Sequence, residues 1–119
     1  MHDPTPSETE RVTEILRAAG DEPVDLVAGV GATLAVTRTH VALIRYGSAN
    51  RPRNGLRTWP HGEVEVRLEP PRHGSGRIVL RTLAQGGPRT VSLFVKSAEW
   101  PDAERVARLI RRDSARATD

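Results

Sequence analysis

The sequence predicts a mainly β domain with α+β elements. It should be a small β-barrel or sandwich of about seven strands with a C-terminal α-helix across one open end, and an extra N-terminal α-helix. Three observations predict it. Between Val24 and Lys96, short runs rich in Val, Leu, Ile and Thr are separated every few residues by Gly, Pro, Asn or Ser, the spacing of an all-β sandwich or barrel. Glu63–Glu69 alternates strictly, with Val64, Val66 and Leu68 on one side and Glu63, Glu65, Arg67 and Glu69 on the other, as in a strand with one wet face. The segment Ser97–Arg112 carries Ala103, Val106, Ala107 and Ile110 at helical spacing, widened by Trp100 and Leu109. Such a stripe must be buried on something, and everything from Val24 to Lys96 reads as strands.

Taken in order, residues 1–6 contain Pro4 and Pro6 and are expected to be a disordered tail. Ser7 and Glu10 form a capping box, S-x-x-E, which opens a helix over 7–20. Val12, Ile15, Leu16 and Ala19 form its apolar stripe, and Gly20 stops it. A helix this short is marginal alone in water, so it is expected to dock on its own β-domain. That domain should span 24–113. Strands are expected over Val24–Val30, Thr33–Thr37, His40–Tyr46, Leu56–Trp59, Glu63–Glu69, Arg77–Leu83 and Arg89–Lys96. Turn formers mark Gly29–Gly31, Gly47–Gly55, Pro70–Gly76 and Gln85–Pro88 as turns or loops. In the closing helix Pro101 suits the first turn. Asp102 and Glu104 at one end, and Arg108, Arg111 and Arg112 at the other, complement the dipole. Residues 114–119 are expected to be a second disordered tail.

Composition bounds the function. The chain of 119 residues suits one domain, and 37 % hydrophobic residues with four aromatics imply a lean, aliphatic core. There is no cysteine, which excludes disulfides, thiolate metal sites and cysteine nucleophiles. No apolar run approaches the roughly 18 residues of a membrane span. The acidic start, Met1–Glu10, does not resemble a signal peptide. The expected location is cytoplasmic, peripheral to a membrane if the protein binds lipid. The net charge of +3 hides an asymmetry: residues 1–25 carry −5, residues 26–98 carry +8 and residues 99–119 are neutral.

No enzyme site emerges, and no cofactor or metal is expected. Gly29-Val30-Gly31 lacks the third glycine of a dinucleotide fingerprint, because Leu34 stands in its place and β-branched residues follow. His2, His40, His61 and His73 have no partners at metal-ligand spacing. The serines show no nucleophile elbow. What remains is arginine. Arg45, Arg51, Arg53 and Arg57 surround the Gly47–Gly55 loop, and Arg89 follows the last turn. These five are the candidate anion-binding residues. Arg72 and Arg77 bracket a second loop. Solvated loop charge explains both clusters equally well. Tyr46 and Trp59 are the aromatics placed to stack on a base.

Two stretches carry a family resemblance. Leu34-Ala35-Val36-Thr37-Arg38-Thr39-His40-Val41-Ala42-Leu43-Ile44 resembles the second hairpin of small bacterial pleckstrin-homology-like (PH-like) domains, and Glu99-Trp100-Pro101 through Ile110 resembles their closing helix. The resemblance covers about Val24 to Arg112. It implies a PH-like seven-stranded bent sandwich with the helix plugging one end, a fold that serves lipid, peptide and protein recognition alike. In lipid-binding members the anionic site lies in the loops after the first, third and sixth strands. Here Ala28–Thr33 has no basic residue, a departure from that pattern, whereas Arg51, Arg53 and Arg57 lie after the third strand and Arg89 after the sixth. The expected function is a non-catalytic interaction or scaffold module with a protein partner or self-association. The alternative is a basic module for anionic lipid surfaces or nucleic acid through the Arg51/Arg53/Arg57 loop.

Overall fold

The computed structural model describes residues 8–18, 20, 22–46, 52–84 and 87–117, without the side chains of 8–12, 46, 52–56, 84, 87 and 117. The elements are α1 (Glu8–Ala18), β1 (Pro23–Gly29), β2 (Ala32–Thr37), β3 (His40–Tyr46), β4 (Pro52–Pro60), a 3-10 turn (His61–Glu63), β5 (Val64–Arg72), β6 (Ser75–Ala84), β7 (Gly87–Lys96), a second 3-10 turn (Ser97–Glu99) and α2 (Trp100–Ala117). The expected 1–6 tail, Ser7 of the capping box and Arg51 lie outside the described residues.

The strands form two antiparallel sheets, β1-β2-β3-β4 and β5-β6-β7, and within each the neighbours in space are neighbours in sequence. Strand alternation sends Val27, Leu34, Val36, Val41 and Leu43 of the first sheet against Ile78, Leu80, Leu93 and Val95 of the second, all at most 4 % exposed. The sheets touch at one corner, where the Val30 N–H donates to the Phe94 carbonyl at 2.8 Å.

The first sheet is buried on both faces, and β2 shows it: all six residues are buried. Leu34 and Val36 enter the main core, while Ala35 faces the other way. There α1 lies, its Leu16 packed with Ala35, Ala42 and Ile44 and flanked by Ile15 and Leu26. The N-terminal helix therefore docks on its own domain, as its length and stripe predict.

The closing helix inserts Trp100, Ala103, Val106, Ala107 and Ile110, the stripe expected from its spacing. Arg105 on its wet face pairs with Asp25 of β1 through two nitrogens, one at 2.9 Å, and with Asp102 at 2.9 Å. Its guanidinium holds the Asp25 carboxyl below its usual value, with the Leu26 amide helping and partial burial opposing. The helix runs to Ala117, whereas the sequence reading ended it at Arg112 and left 114–119 as a tail. The extra turn is supported from below. Asp113 comes to 3.8 Å from His61 Nε2, and that nitrogen donates to the Thr37 carbonyl at 2.8 Å.

Two loops are shorter than expected. Pro70–Gly76 is strand except for a two-residue turn, His73 (φ 56°) and Gly74 (φ 98°), the positive pair a tight hairpin requires. β5 carries Pro70 and Pro71 because it is an edge strand with a register shift between Glu69 and Arg72. Opposite that shift Gly76 has no room for a side chain: a Cβ would lie 2.6 Å from the Trp100 ring and 2.7 Å from the Glu69 carbonyl. Strand β4 begins at Pro52 rather than Leu56, paired with Tyr46 across an irregularity in β3.

Candidate functional site

Two surfaces combine exposed backbone or charge with a hollow. The first lies along β5. This strand has β6 on one flank and α2 on the other. Its Val66 carbonyl points out of the sheet, where Arg111 Nη2 donates to it at 3.5 Å, a long and replaceable bond. Between strand and helix runs a groove of about 350 Å³ lined by Val64, Glu65, Val66, Ile110, Arg111, Ser114 and Ala115. Edge strand and helix thus border a hollow in which Glu65, Arg111 and Ala115 are exposed and Val66 is half-buried. The extra turn of α2 supplies the last two lining residues. The sequence reading, which placed them in a tail, could not find this groove.

The second surface collects three of the five candidate arginines. Arg45 shares strand parity with Val41 and Leu43, Arg57 with Trp59, and Arg89 with Val91, Leu93 and Val95. All three therefore continue core-facing rows, and all three are exposed. Arg57 and Arg89 share a hollow of about 230 Å³ with Trp59, Thr82 and Val91. Arg45 lines the next one, of about 370 Å³, with Val30, Leu43, Leu93 and Phe94. No carboxylate lines either hollow among the described residues. Backbone of Arg53 is strand in β4, but its side chain, like all of Arg51, lies outside the description.

The other predicted residues fall elsewhere. Arg77 is committed to Glu69, donating through Nε at 3.0 Å and Nη2 at 2.9 Å. The pair lowers the Glu69 pKa and raises that of Arg77. Trp59, named above as a stacking candidate, is 9 % exposed and belongs to the core, and the Tyr46 side chain is not described. Phe94, which the sequence reading gave no role, is 55 % exposed. His61 is buried, and its Nδ1 has no hydrogen-bond partner among the described residues. Its Nε2 bond to Thr37 and its approach to Asp113 make it a clamp between β2 and α2. No group of three or more metal-ligating side chains occurs among the described residues, and no helix among them is long and apolar enough to cross a membrane.

No protein-family model and no curated protein matches the sequence. Among solved structures, the chain is similar to a crystal structure of a pleckstrin homology domain from Shewanella amazonensis SB2B. The TM-score is 0.62 at 14 % identity, over 88 % of this chain and 96 % of that one. The fold is PH-like: two antiparallel sheets closed by a C-terminal helix.

Proposed function

We propose that this PH-like fold serves as a non-catalytic interaction module, and that it captures an extended segment of a protein partner along β5. The observation that carries the reading is the outward Val66 carbonyl beside the β5–α2 groove. A strand added there would pair with the backbone of β5 and place its side chains against Glu65, Val66 and Ala115. Main-chain bonds supply affinity in this mode, and the side-chain pockets supply selectivity. Ala115 is exposed at the groove wall, so Ala115→Trp should block the groove without disturbing the core. Capture of partners from the native cell with the tagged protein, followed by amide exchange on the complex, tests the reading. The partner should be lost with the variant, and the β5 amides should gain protection in the wild type. Equal capture by both proteins, with β5 amides unchanged, would refute it.

A second reading rests on the core-facing parity of Arg45, Arg57 and Arg89. Three exposed cations, with no carboxylate among the lining residues described, suit an anionic lipid surface, at about 1 kcal/mol per arginine near it. Arg51 and Arg53 belong to the same proposal by sequence position. Flotation with vesicles rich in phosphatidylglycerol should weaken steeply with salt, and again on replacing Arg51, Arg53 and Arg57 together by alanine.

A further inference from the structure

The outer face of the second sheet has no helix over it among the described elements, unlike that of the first. Its side chains are not a random solvated mixture. Cross-strand register puts Glu69, Arg77 and Phe94 in one row across β5, β6 and β7. Five basic side chains share the face (Arg67, Arg72, Arg77, Arg81 and Lys96) against two carboxylates, Glu65 and Glu69. Glu69 is neutralised locally by Arg77 and by Arg67, whose Nη2 lies 3.2 Å away. Arg72, Arg81 and Lys96 have no ion-pair partner among the described residues. Phe94 and Arg72 line a hollow of about 510 Å³ together with the Glu69–Arg77 pair.

We infer that this face binds single-stranded nucleic acid, with Phe94 as the stacking platform for one base and Arg72, Arg81 and Lys96 as phosphate contacts. The proposal goes beyond the β5–α2 groove and does not depend on it. An exposed aromatic ring on an uncovered face of an antiparallel sheet is chemically suited to an unstacked base. A duplex keeps its base faces covered and could use the cations alone. A membrane suits the face less well. Phe94 lies within β7 rather than at a hairpin tip, and docking it into lipid would bring Glu65 and Glu69 against the bilayer.

Fluorescence anisotropy with a labelled twelve-base oligouridine at low salt tests the inference. The wild-type protein should bind the single strand, and bind it more tightly than a duplex of equal length. Phe94→Ala should weaken binding about tenfold, Phe94→Leu should do the same although it keeps apolar bulk, and Phe94→Trp should restore it. Arg72→Ala and Lys96→Ala should each flatten the log–log salt dependence by about 0.7. All three positions changed are exposed, and a melting curve for each variant checks the fold. Ala115→Trp should leave oligouridine binding unchanged. Absence of binding, equal affinity for the duplex, or a Phe94→Leu variant equal to wild type would overturn the inference. So would Phe94-dependent sedimentation with anionic vesicles, or Phe94-dependent binding of polyglutamate, in place of the oligonucleotide.

Discussion

Helix α2 sends Trp100, Ala103, Val106, Ala107 and Ile110 into the space between the sheets, whereas α1, among its described side chains, lays one fully buried, Leu16, on the outer face of the first sheet. Both helices are amphipathic, and both lie on strands β1 and β2. The difference is what would be left without them. Removing α2 would open the main core on β1, β2 and β5 at once. Removing α1 would uncover Ala35, Ala42 and Ile44, a small seat that still has a complete core behind it. Amphipathicity alone does not separate a helix that completes a fold from one that covers it. The number of sheets it seals does.

The largest test of this contrast is Ile110→Ala. It should cost about 2–5 kcal/mol, because both sheets and the helix must relax around the cavity. A denaturant midpoint unchanged from wild type would break the contrast at its stronger end. Deleting residues 1–20 should cost less, about 1.5–3 kcal/mol for returning Leu16 to water. The truncated protein should still unfold cooperatively. It should also self-associate in sedimentation, because an apolar patch is newly exposed. If the truncation destabilises more than Ile110→Ala, α1 belongs to the core after all.

Two smaller changes sharpen the account of how α2 is seated. Gly76→Ala forces a methyl toward the Trp100 ring and the Glu69 carbonyl, and the backbone there cannot yield as a side chain would. A loss of about 1–3 kcal/mol is expected, read from the same unfolding curves. Asp25→Asn should lose at most about 1 kcal/mol at neutral pH, since Arg105 is half exposed. The sign of its pH dependence follows from the lowered Asp25 pKa. The contribution is present above the ordinary carboxylate value of 3.8 and is lost as pH falls through the lower folded value. Wild type and Asp25→Asn should therefore converge in stability once the pH lies below the lowered folded value, where the carboxylate is protonated in both states. A constant gap from pH 7 to pH 2 would assign the effect to packing instead.

Elements whose pattern reports a buried face were legible in the sequence. Glu63–Glu69 gave β5 its wet and dry sides, and the α2 stripe named the residues that are buried. The failures share one cause, which is that tertiary context overrode local punctuation. Pro70 and Pro71 signal a loop, yet an edge strand asks nothing of their missing N–H groups, and a register shift absorbs them. Ser114 and Ala115 carry no apolar stripe, so the last turn of α2 is visible only once His61 and Thr37 lie beneath Asp113. Trp59 looked available for stacking because a short run between a loop and a proline gives no inside or outside. Pairing with Val41 decides that it is core. The arginines were found as a cluster, but their shared core-facing parity needed the register. Phe94 escaped notice because an aromatic in a strand is ordinarily core, and nothing local says that this one faces outward.

The sequential order of strands within each sheet bears on how the chain folds. Every hairpin from β1 to β4 and from β5 to β7 joins adjacent segments, so each can find its register over short loops before the two sheets meet. The contacts of long reach are the corner between Val30 and Phe94 and the seat of α2, where Asp25 meets Arg105 across 80 residues. Sheet docking and helix closure should accordingly be the late events. During synthesis the first sheet would emerge with its inner face bare until the second sheet and then the eighteen-residue α2 follow. The other face of that sheet already has its cover in α1, which precedes it in the chain.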